Sequence, residues 1–387
     1  MKLIAALGCS LAITAFAQQG HQHAAGMQRK PGPILAATAA FAPDGTLWAA
    51  HFAGDNLAVS KSTDGGAHWS APMHILAKAE PMDGGGDARP NIAIGPDSEI
   101  FVTWTRPLGK PYSGEIKLVR STDRGRTWSR PVIVHADRQE ITHRFDAMTV
   151  TRDGRLVVAW IDKRDVPQGA TDYAGAAVYY AVSHDRGATF RADVKLAEHS
   201  CECCRIALLP RDDGSITVFW RHVFAPNARD HALATIGADG SASGMHRATF
   251  DEWRVDVCPH HGPSLAADRS GALHAVWYTG AAGKAGVYYG RLDDGVVSNQ
   301  RRIGGETAEH ADIGAIGDRI ALVWKEFDGT RSVLRAMRSD DRGRTFAQSE
   351  VATTSEASDQ PRLLNRDGHF YVFWNTRTEP LRVIALP

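Results

Sequence analysis

Two short segments contain all the cysteines outside the N-terminal region, with histidines beside them. The first is Cys201-Glu202-Cys203-Cys204 and the second is Cys258-Pro259-His260-His261. Thiolate and imidazole are the groups with which proteins bind zinc and copper. A metal hypothesis therefore takes copper or zinc as the ion, with the ligands Cys201, Cys203, Cys204, Cys258, His260 and His261.

The same cysteines allow two other interpretations. In an oxidising compartment an even number of cysteines favours two disulfides, and one of these would join Cys258 to the first segment. Thiol–disulfide exchange is the third interpretation. The sequence leaves all three open, and under the disulfide interpretation no cofactor is required.

Arginine and histidine side chains recur just ahead of apolar runs along the chain. Guanidinium groups bind carboxylates through paired hydrogen bonds, so a cluster of them suits an anionic ligand. We expect these residues to converge on one site for a carbohydrate, a metal or a protein. The competing interpretation is that they pair between neighbouring repeats. The ligand-binding candidates are Arg89, His143, Arg144, Arg205, His310 and Arg362.

The elements that must position these residues repeat along the chain. Each repeat contains a short apolar run that ends in a tryptophan. Short strands joined by Asp-Gly turns, repeated at intervals of 47 to 60 residues, favour four antiparallel strands per repeat set around an axis. The sequence thus predicts an all-β fold, a single β-propeller of four-stranded antiparallel blades, with seven blades favoured and six as the alternative. The tryptophans are Trp48, Trp104, Trp160, Trp220, Trp277, Trp324 and Trp374.

Strand alternation predicts which loops share a face of the propeller. Successive strands run in opposite directions, so the loops before first strands and those between second and third strands lie on one face. The loops between third and fourth strands lie on the other. Because first strands line the central channel, the candidate residues should meet at one of its mouths. The last repeat has only three predicted strands, which a strand from the N-terminal segment could complete.

The loop between third and fourth strands carries its own motif. It reads Ser62-Thr63-Asp64-Gly65-Gly66-Ala67-His68-Trp69, with further copies starting at Ser121, Ser183 and Ser339. Ser and Asp cap backbone N–H groups in tight turns, and Gly supplies a positive φ. The pattern S-x-D-x-G-x-x-[WF] resembles the Asp-box of the sialidase, or BNR-repeat, superfamily. The resemblance implies a β-propeller whose Asp-boxes lie on the face away from the active site. The C-E-C-C and C-P-x-x-G-P segments also resemble those of an uncharacterised secreted branch of that superfamily.

The resemblance also implies what a catalytic site would contain. Sialidases hold the substrate carboxylate with three arginines, use a tyrosine–glutamate pair as the nucleophile and use an aspartic acid as the acid. Ala88-Arg89-Pro90 is similar to the motif of the first arginine, without its isoleucine. The leading interpretation is a binding propeller, and the alternative is an exo-glycosidase of the sialidase type that hydrolyses terminal acidic sugars. The catalytic candidates under that alternative are Arg89, Arg144, Arg362, Asp55 and Tyr112.

Composition and the N-terminus restrict partners and location. The 387 residues include 44 Lys and Arg and 44 Asp and Glu, so no overall field attracts nucleic acid or an anionic membrane. Residues 1–17 read as an export signal, 18–32 as a flexible segment with His and Met, and 33–387 as the propeller. No later apolar run is long enough to span a membrane. We therefore expect a periplasmic or extracellular protein; its oligomeric state is not indicated.

Overall fold

The computed structural model describes residues 34–167, 175–255 and 260–387. The predicted export signal, the segment 18–32 and Cys258 lie outside the described residues, so the domain boundaries stay predictions. The described residues form 27 β-strands and no helix, which confirms the all-β prediction. Within these three ranges, then, no helix could carry the chain across a bilayer.

The strands form antiparallel meanders in which strands consecutive in the chain pair. The first contains β1 (Ala37–Phe41), β2 (Leu47–Ala53), β3 (Asn56–Ser62) and β4 (Met73–His74). The second contains β5 (Asn91–Ile94), β6 (Ile100–Pro107), β7 (Gly114–Ser121) and β8 (Val132–Ile133). The third contains β9 (His143–Val150), β10 (Leu156–Asp162), β11 (Ala176–Ser183) and β12 (Val194–Ser200). The fourth contains β13 (Ala207–Pro210), β14 (Ile216–Phe224), β15 (Ala228–Ile236) and β16 (Ala242–Arg247).

The remaining meanders follow the same order. The fifth contains β17 (Ser264–Ala267), β18 (Leu273–Thr279), β19 (Gly286–Asp293) and β20 (Val296–Ile303). The sixth contains β21 (Glu309–Ile316), β22 (Arg319–Phe327), β23 (Ser332–Ser339) and β24 (Ala347–Thr354). The seventh has three strands in the described part of the chain, β25 (Arg362–Arg366), β26 (His369–Trp374) and β27 (Arg382–Ala385). The third and fourth meanders are joined into one sheet where Ser200 pairs with His222.

The first strands of the meanders contact one another in order. β1 packs against β5, β5 against β9, β9 against β13 and β13 against β17, and the series continues through β21 and β25 back to β1. This closed circuit around an axis is the arrangement of a β-propeller, as predicted. The favoured count of seven blades stays a prediction, which the circuit of seven first strands supports.

The repeated tryptophans form the core between meanders. Six of them are fully buried: Trp104, Trp160, Trp220, Trp277, Trp324 and Trp374. A buried indole N–H needs a hydrogen-bond acceptor, and each of these six tryptophans has one. Trp160 donates to Asp162 at 2.8 Å, for example, and Trp277 donates to Asp251 at 2.8 Å. The repeat therefore supplies both apolar area and a fixed hydrogen bond at each position.

The Asp-boxes are turn-capping devices, as their residue types predict. In the second meander the Ser121 hydroxyl accepts from the Gly125 N–H at 2.8 Å and donates to Asp123. The Asp123 carboxylate also accepts from the backbone N–H and the hydroxyl of Thr127. These hydrogen bonds, from Thr127 first, lower the pKa of Asp123 to about 2. The other copies repeat this pattern with Asp64, Asp185 and Asp341.

On the Asp-box face, arginines of the second to seventh meanders each connect their meander to the next one, and the seventh meander is followed by the first. Arg211 of the fourth meander donates to the Gly271 carbonyl of the fifth at 2.8 Å. Arg366 of the last meander donates to the Gly45 carbonyl of the first at 2.5 Å, across the point where the ring closes. We call these contacts the arginine–carbonyl joints. The others are made by Arg120 to the third meander, Arg155 to the fourth, Arg301 to the sixth and Arg319 to the seventh.

Candidate functional site

The loops that precede the first strands meet at one end of the channel, opposite the Asp-boxes. We call the segments 84–90, 201–206, 260–263 and 359–361 the mouth loops. They lead into β5, β13, β17 and β25. Hydrogen bonds between residues more than 100 positions apart hold these loops together. The predicted convergence of Cys, His, Arg and Asp residues from several repeats is therefore present in the structure.

Asp87 is the residue on which the mouth loops converge. Its Oδ2 accepts from the backbone N–H of Arg205 and of Gly262, each at 3.0 Å. Its Oδ1 accepts from the Gln360 side-chain amide at 3.1 Å. Asp87 is buried, and burial works against its charge, but the Arg205 guanidinium and N–H hold its pKa below the ordinary value. One carboxylate thus links loops from four meanders.

Arg89 is held within the protein by Asp359. Its Nη1 and Nη2 donate to the two Asp359 carboxylate oxygens at 3.0 and 2.9 Å. Nη2 also donates to the Gly86 carbonyl at 2.7 Å. Asp359 in turn accepts from the backbone N–H of Ala37, so the pair joins the first, second and last meanders. Because the guanidinium is buried and bidentate, Arg89 acts as a structural link between these three units.

Arg205 is similarly committed to the protein, chiefly to backbone carbonyls. Its Nε donates to the Pro263 carbonyl at 3.0 Å and its Nη2 to the Ala311 carbonyl at 2.6 Å. Its Nη1 donates to the Gln360 side chain at 3.2 Å and lies 3.6 Å from Asp87. Arg205 therefore braces the mouth and leaves its positive charge close to neighbouring cations.

Arg362 differs from both. Among the described residues its guanidinium has no hydrogen-bond acceptor and no carboxylate within ion-pair distance. Burial, then the charges of Arg205 and Arg89, lower the pKa of Arg362 to about 9, although Asp312 and Asp87 oppose the shift. At neutral pH it remains a cation. Such a group at a channel mouth can accept an incoming anion without first breaking an internal pair.

Arg362 lines a cavity at the mouth end of the channel. The cavity has a volume of about 250 Å³ and takes residues from all seven first strands or their leading loops. Its polar walls include Asp87, Asn91, Arg205 and Asp312. A wider hollow of about 570 Å³ lies at the opposite end of the channel, and none of the described residues lining it was predicted as a site residue.

Imidazole and phenol groups form a second cluster, and its members are not among the described residues that line the cavity. His261 stacks on Tyr278 with ring centroids 4.2 Å apart, and its ring centroid lies 4.7 Å from that of His310. Burial lowers the pKa of both histidines, to about 4 for His261. In each ring Nδ1 is buried with no hydrogen-bond partner in the described structure. One ligand atom each from His261, Glu309 and His310 lies within 4.8 Å of the others.

The three described cysteines lie together within the mouth loop 201–206. Their sulfur atoms are 3.8 to 3.9 Å apart, so no two of them are at the roughly 2.05 Å of a disulfide. All three side chains are buried. Arg229 donates to the Cys201 sulfur at 3.3 Å. The predicted metal ligands therefore divide: Cys201, Cys203 and Cys204 form one group, and His261 lies in another.

The other predicted site residues lie away from this cavity or are already paired. Arg144 pairs with Asp83, its Nε donating at 2.6 Å, and stacks over Phe145. His143 is fully buried and stacks on His135; its Nδ1 donates to the Gly114 carbonyl at 3.1 Å, and its Nε2 lies 3.4 Å from Asp137. The remaining three are exposed: Asp55 in the turn between β2 and β3, Tyr112 at 77% in the turn before β7, and His260 beside Gly86.

Sequence reasoning gave no role to Gln360 or Glu309, and it placed Asp87 and Asp359 at the channel mouth without making either a candidate site residue. A signal for the two aspartates was present, because each stands two or three residues ahead of an arginine in a mouth loop. The sequence could not show that the aspartate of one loop would accept hydrogen bonds from the backbone or the arginine of another loop.

The fold defines a class, the β-propellers. No protein-family model matches the chain, and no curated protein does. Solved propellers of glycan enzymes are similar in fold. An ulvan lyase of family PL25, bound to glucuronic acid and sulfated rhamnose, has a TM-score of 0.55 and 13% identity, with 92% of each chain covered.

Two further structures extend the likeness. The Hadza microbial sialidase Hz136 has a TM-score of 0.52 and 13% identity, covering 86% of this chain and 74% of its own. An α-L-arabinanase of Penicillium chrysogenum, complexed with arabinobiose, has a TM-score of 0.50 and 14% identity, covering 77% and 92%. At these identities the likeness establishes the fold alone.

Proposed function

We propose that this protein is an exported glycan-binding propeller that takes one acidic sugar unit at the channel mouth, with Arg362 binding the sugar carboxylate. The observation that carries the proposal is that the Arg362 guanidinium lacks an acceptor among the described residues, whereas Arg89 donates to Asp359 and Arg205 donates to backbone carbonyls and to Gln360. A bound carboxylate would supply Arg362 with two acceptors at once.

Neighbouring groups are suited to the rest of such a ligand. His261 and His310 each have a buried Nδ1 with no partner in the described structure, and these atoms can bond sugar hydroxyls. The Tyr278 ring offers an apolar face of the kind on which the C–H side of a sugar packs. The positive charges of Arg205, Arg89 and Lys325 act on this cluster. Burial and the neighbouring His261 lower the pKa of His310 most, and each of these three charges lowers it further.

The size of the cavity favours a single sugar unit over a long chain segment. Its volume of about 250 Å³ is just below the roughly 300 to 1,000 Å³ of typical small-molecule pockets. A terminal acidic sugar would fit there with the remainder of the glycan outside. The ulvan lyase and the sialidase, which share the fold, act on glycans that contain acidic sugars, and this is consistent with the proposal.

The test is calorimetric binding of N-acetylneuraminic acid and of a glucuronate-terminated disaccharide, with a neutral disaccharide as reference. Arg362→Met keeps the aliphatic stem and removes the charge. We expect it to weaken binding of the acidic sugar roughly 10- to 100-fold, as expected for charge-assisted hydrogen bonds of about 1.5 to 3 kcal/mol. Arg319→Met, on the Asp-box face, is the matched control and should bind like the wild type. Equal affinity for acidic and neutral sugars, or unchanged binding by Arg362→Met, would refute the proposal.

A second candidate function is glycoside hydrolysis by a tyrosine of the same cluster. Tyr278 stands beside His261, and the Glu309 carboxylate, after burial, is among the groups that raise the Tyr278 pKa. A tyrosine close to a glutamate is the pair that the sialidase resemblance implies. Turnover of a fluorogenic sialoside that disappears in Tyr278→Phe but persists in Tyr112→Phe would support hydrolysis. Binding of the acidic sugar without any turnover would leave the binding proposal standing alone.

A further inference from the structure

Trp253 is the one tryptophan that belongs to neither of the two repeated motifs. Of the ten tryptophans, seven end the apolar runs of the repeats, and Trp69 and Trp128 belong to Asp-boxes. Trp253 follows the fourth meander and is half-buried, unlike the fully buried tryptophans of the repeat. Its indole nitrogen is not buried and has no acceptor within the described ranges. Packing of the repeated core therefore does not account for this side chain.

Trp253, Tyr278 and His261 form a continuous set of aromatic rings, which we call the ring platform. Tyr278 meets Trp253 edge to face with ring centroids 5.7 Å apart, and it stacks on His261 at 4.2 Å. Glycine at position 280 leaves room for the indole, because a Cβ there would lie 2.5 Å from Trp253 Cζ2. All three platform residues are half-buried, so each keeps part of its surface open to solvent.

One buried arginine positions all three rings. Arg221 is 1% exposed, and its Nη2 donates to the His261 carbonyl at 2.9 Å and to the Tyr278 carbonyl at 2.8 Å. Its guanidinium carbon also lies 4.8 Å from the centre of the Trp253 ring, which is within cation–π distance. The ring platform is thus held in place by the protein itself, and a ligand that packs on it loses less affinity to the ordering of side chains.

The ring platform lies outward of the cavity that Arg362 lines. His261 stands two residues before Pro263 in the mouth loop 260–263, and Pro263 lines that cavity. Because this loop leads into β17, His261 lies nearer to the opening of the channel than Pro263 does. Arg205, another residue of the cavity wall, donates to the Pro263 carbonyl at 3.0 Å and so fixes the junction between cavity and platform.

We propose that the ring platform binds the second and third sugar units of an oligosaccharide whose terminal acidic sugar lies at Arg362. The second unit packs on Tyr278 and the third on Trp253. This inference rests on the proposed function, and it specifies the ligand as a chain of at least three units. Aromatic rings offer the apolar surface on which the C–H side of a sugar packs. The exposed Trp253 N–H is free to donate to a hydroxyl of the third unit.

The test is calorimetric binding of glucuronic acid and of a disaccharide and a trisaccharide that each end in glucuronate. In the wild type each added unit should tighten binding roughly 3- to 10-fold. Trp253→Ala should remove the gain from the third unit and leave the affinity for glucuronic acid within about twofold of the wild type. Trp253→Phe keeps an apolar ring and should retain most of the gain.

Two further variants separate the position of the indole from its presence. In Gly280→Ala the new Cβ displaces the Trp253 ring, so this variant should lose the gain from the third unit while still binding glucuronic acid. Phe327→Ala is the matched control, since Phe327 is 53% exposed and contacts no other ring in the described structure. It should bind all three sugars like the wild type. Urea denaturation of each variant establishes that it is folded.

The possible failures of the two proposals can be told apart. A trisaccharide that binds the wild type no more tightly than glucuronic acid would overturn the ring platform and leave the role of Arg362 intact. A gain from the third unit that persists in Trp253→Ala would also overturn it. Arg362→Met, in contrast, should weaken the binding of all three sugars. If the wild type binds none of them, the proposed function and this inference fail together.

Discussion

Replacement of Asp87 by alanine should loosen the whole channel mouth, because one carboxylate serves several loops. In the wild type it accepts the backbone N–H groups of Arg205 and Gly262 at 3.0 Å and the Gln360 amide at 3.1 Å. Alanine removes all three acceptors. It also removes the carboxylate that lies 3.6 Å from the Arg205 guanidinium.

The magnitude follows from burial. Asp87 is 2% exposed, so water cannot readily replace the lost acceptors. Each buried donor left without a partner costs about 1 to 3 kcal/mol, and removing one partner of a buried ion pair costs about 3 to 5 kcal/mol. These costs overlap because Arg205 keeps its carbonyl contacts. We therefore expect Asp87→Ala to lower the free energy of unfolding by about 3 to 5 kcal/mol.

Urea denaturation followed by tryptophan fluorescence measures the change. Asp212→Ala is the matched control, since Asp212 also pairs with an arginine, Arg152, but both side chains are more than 80% exposed. That change should stay within about 0.5 kcal/mol. A loss below about 1 kcal/mol for Asp87→Ala would show that Asp87 does not hold the mouth together.

The same variant has a pH signature. The folded pKa of Asp87 lies below its ordinary value of 3.8. Its stabilisation is therefore complete above about pH 4 and disappears as pH falls through the folded pKa. The stability difference between wild type and Asp87→Ala should narrow in acid. A difference that widens below pH 4 would contradict the assigned direction of the shift.

Three further predictions concern single contacts. Arg362→Met should leave the free energy of unfolding of the ligand-free protein within about 1 kcal/mol of the wild type. The lost cation has no partner among the described residues and is repelled by Arg205 and Arg89. A loss above about 2 kcal/mol in urea denaturation would show that Arg362 does have a stabilising partner. Trp277→Phe should lower the free energy of unfolding by about 1 to 3 kcal/mol in the same assay, because the Asp251 carboxylate loses a donor. Trp128→Phe should cost less, because the Trp128 indole N–H has no partner among the described residues. Thr127→Val should raise the pKa of Asp123 from about 2 toward its ordinary value of 3.8, as read from carboxyl NMR shifts, and an unchanged value would mean that Thr127 does not set it.

The strands were largely predictable because their local signals agree. In the second repeat the sequence predicts strands at 91–94, 100–105, 116–120 and 132–134, and the structure has Asn91–Ile94, Ile100–Pro107, Gly114–Ser121 and Val132–Ile133. Apolar alternation marks the buried part of each strand. The pairing of Arg106 with Glu115 and of Pro107 with Gly114 continues beyond it, where backbone pairing and not apolar alternation extends the hairpin.

The site was predictable as a place but not as a set of partners. Alternation of strand direction predicts that Arg89, Arg205 and Arg362 approach the same mouth, and they do. Whether an arginine keeps an unpaired charge depends on contacts that only ring closure creates. One of these is the contact of Arg89 with Asp359, 270 residues away in the chain. The sequence contains three similar arginines ahead of three strands. Only the three-dimensional distribution of acids makes one of them different.

The arginine–carbonyl joints have a consequence for how this ring responds to its surroundings. A guanidinium keeps its proton throughout the range in which proteins fold, and a peptide oxygen does not take one up. The arginine–carbonyl joints, including that of Arg366 with Gly45 where the ring closes, are therefore insensitive to pH. The carboxylates at the channel mouth and in the Asp-boxes take up protons in acid, so their hydrogen bonds depend on pH. In acid the channel mouth would therefore loosen first, while the arginine–carbonyl joints persist.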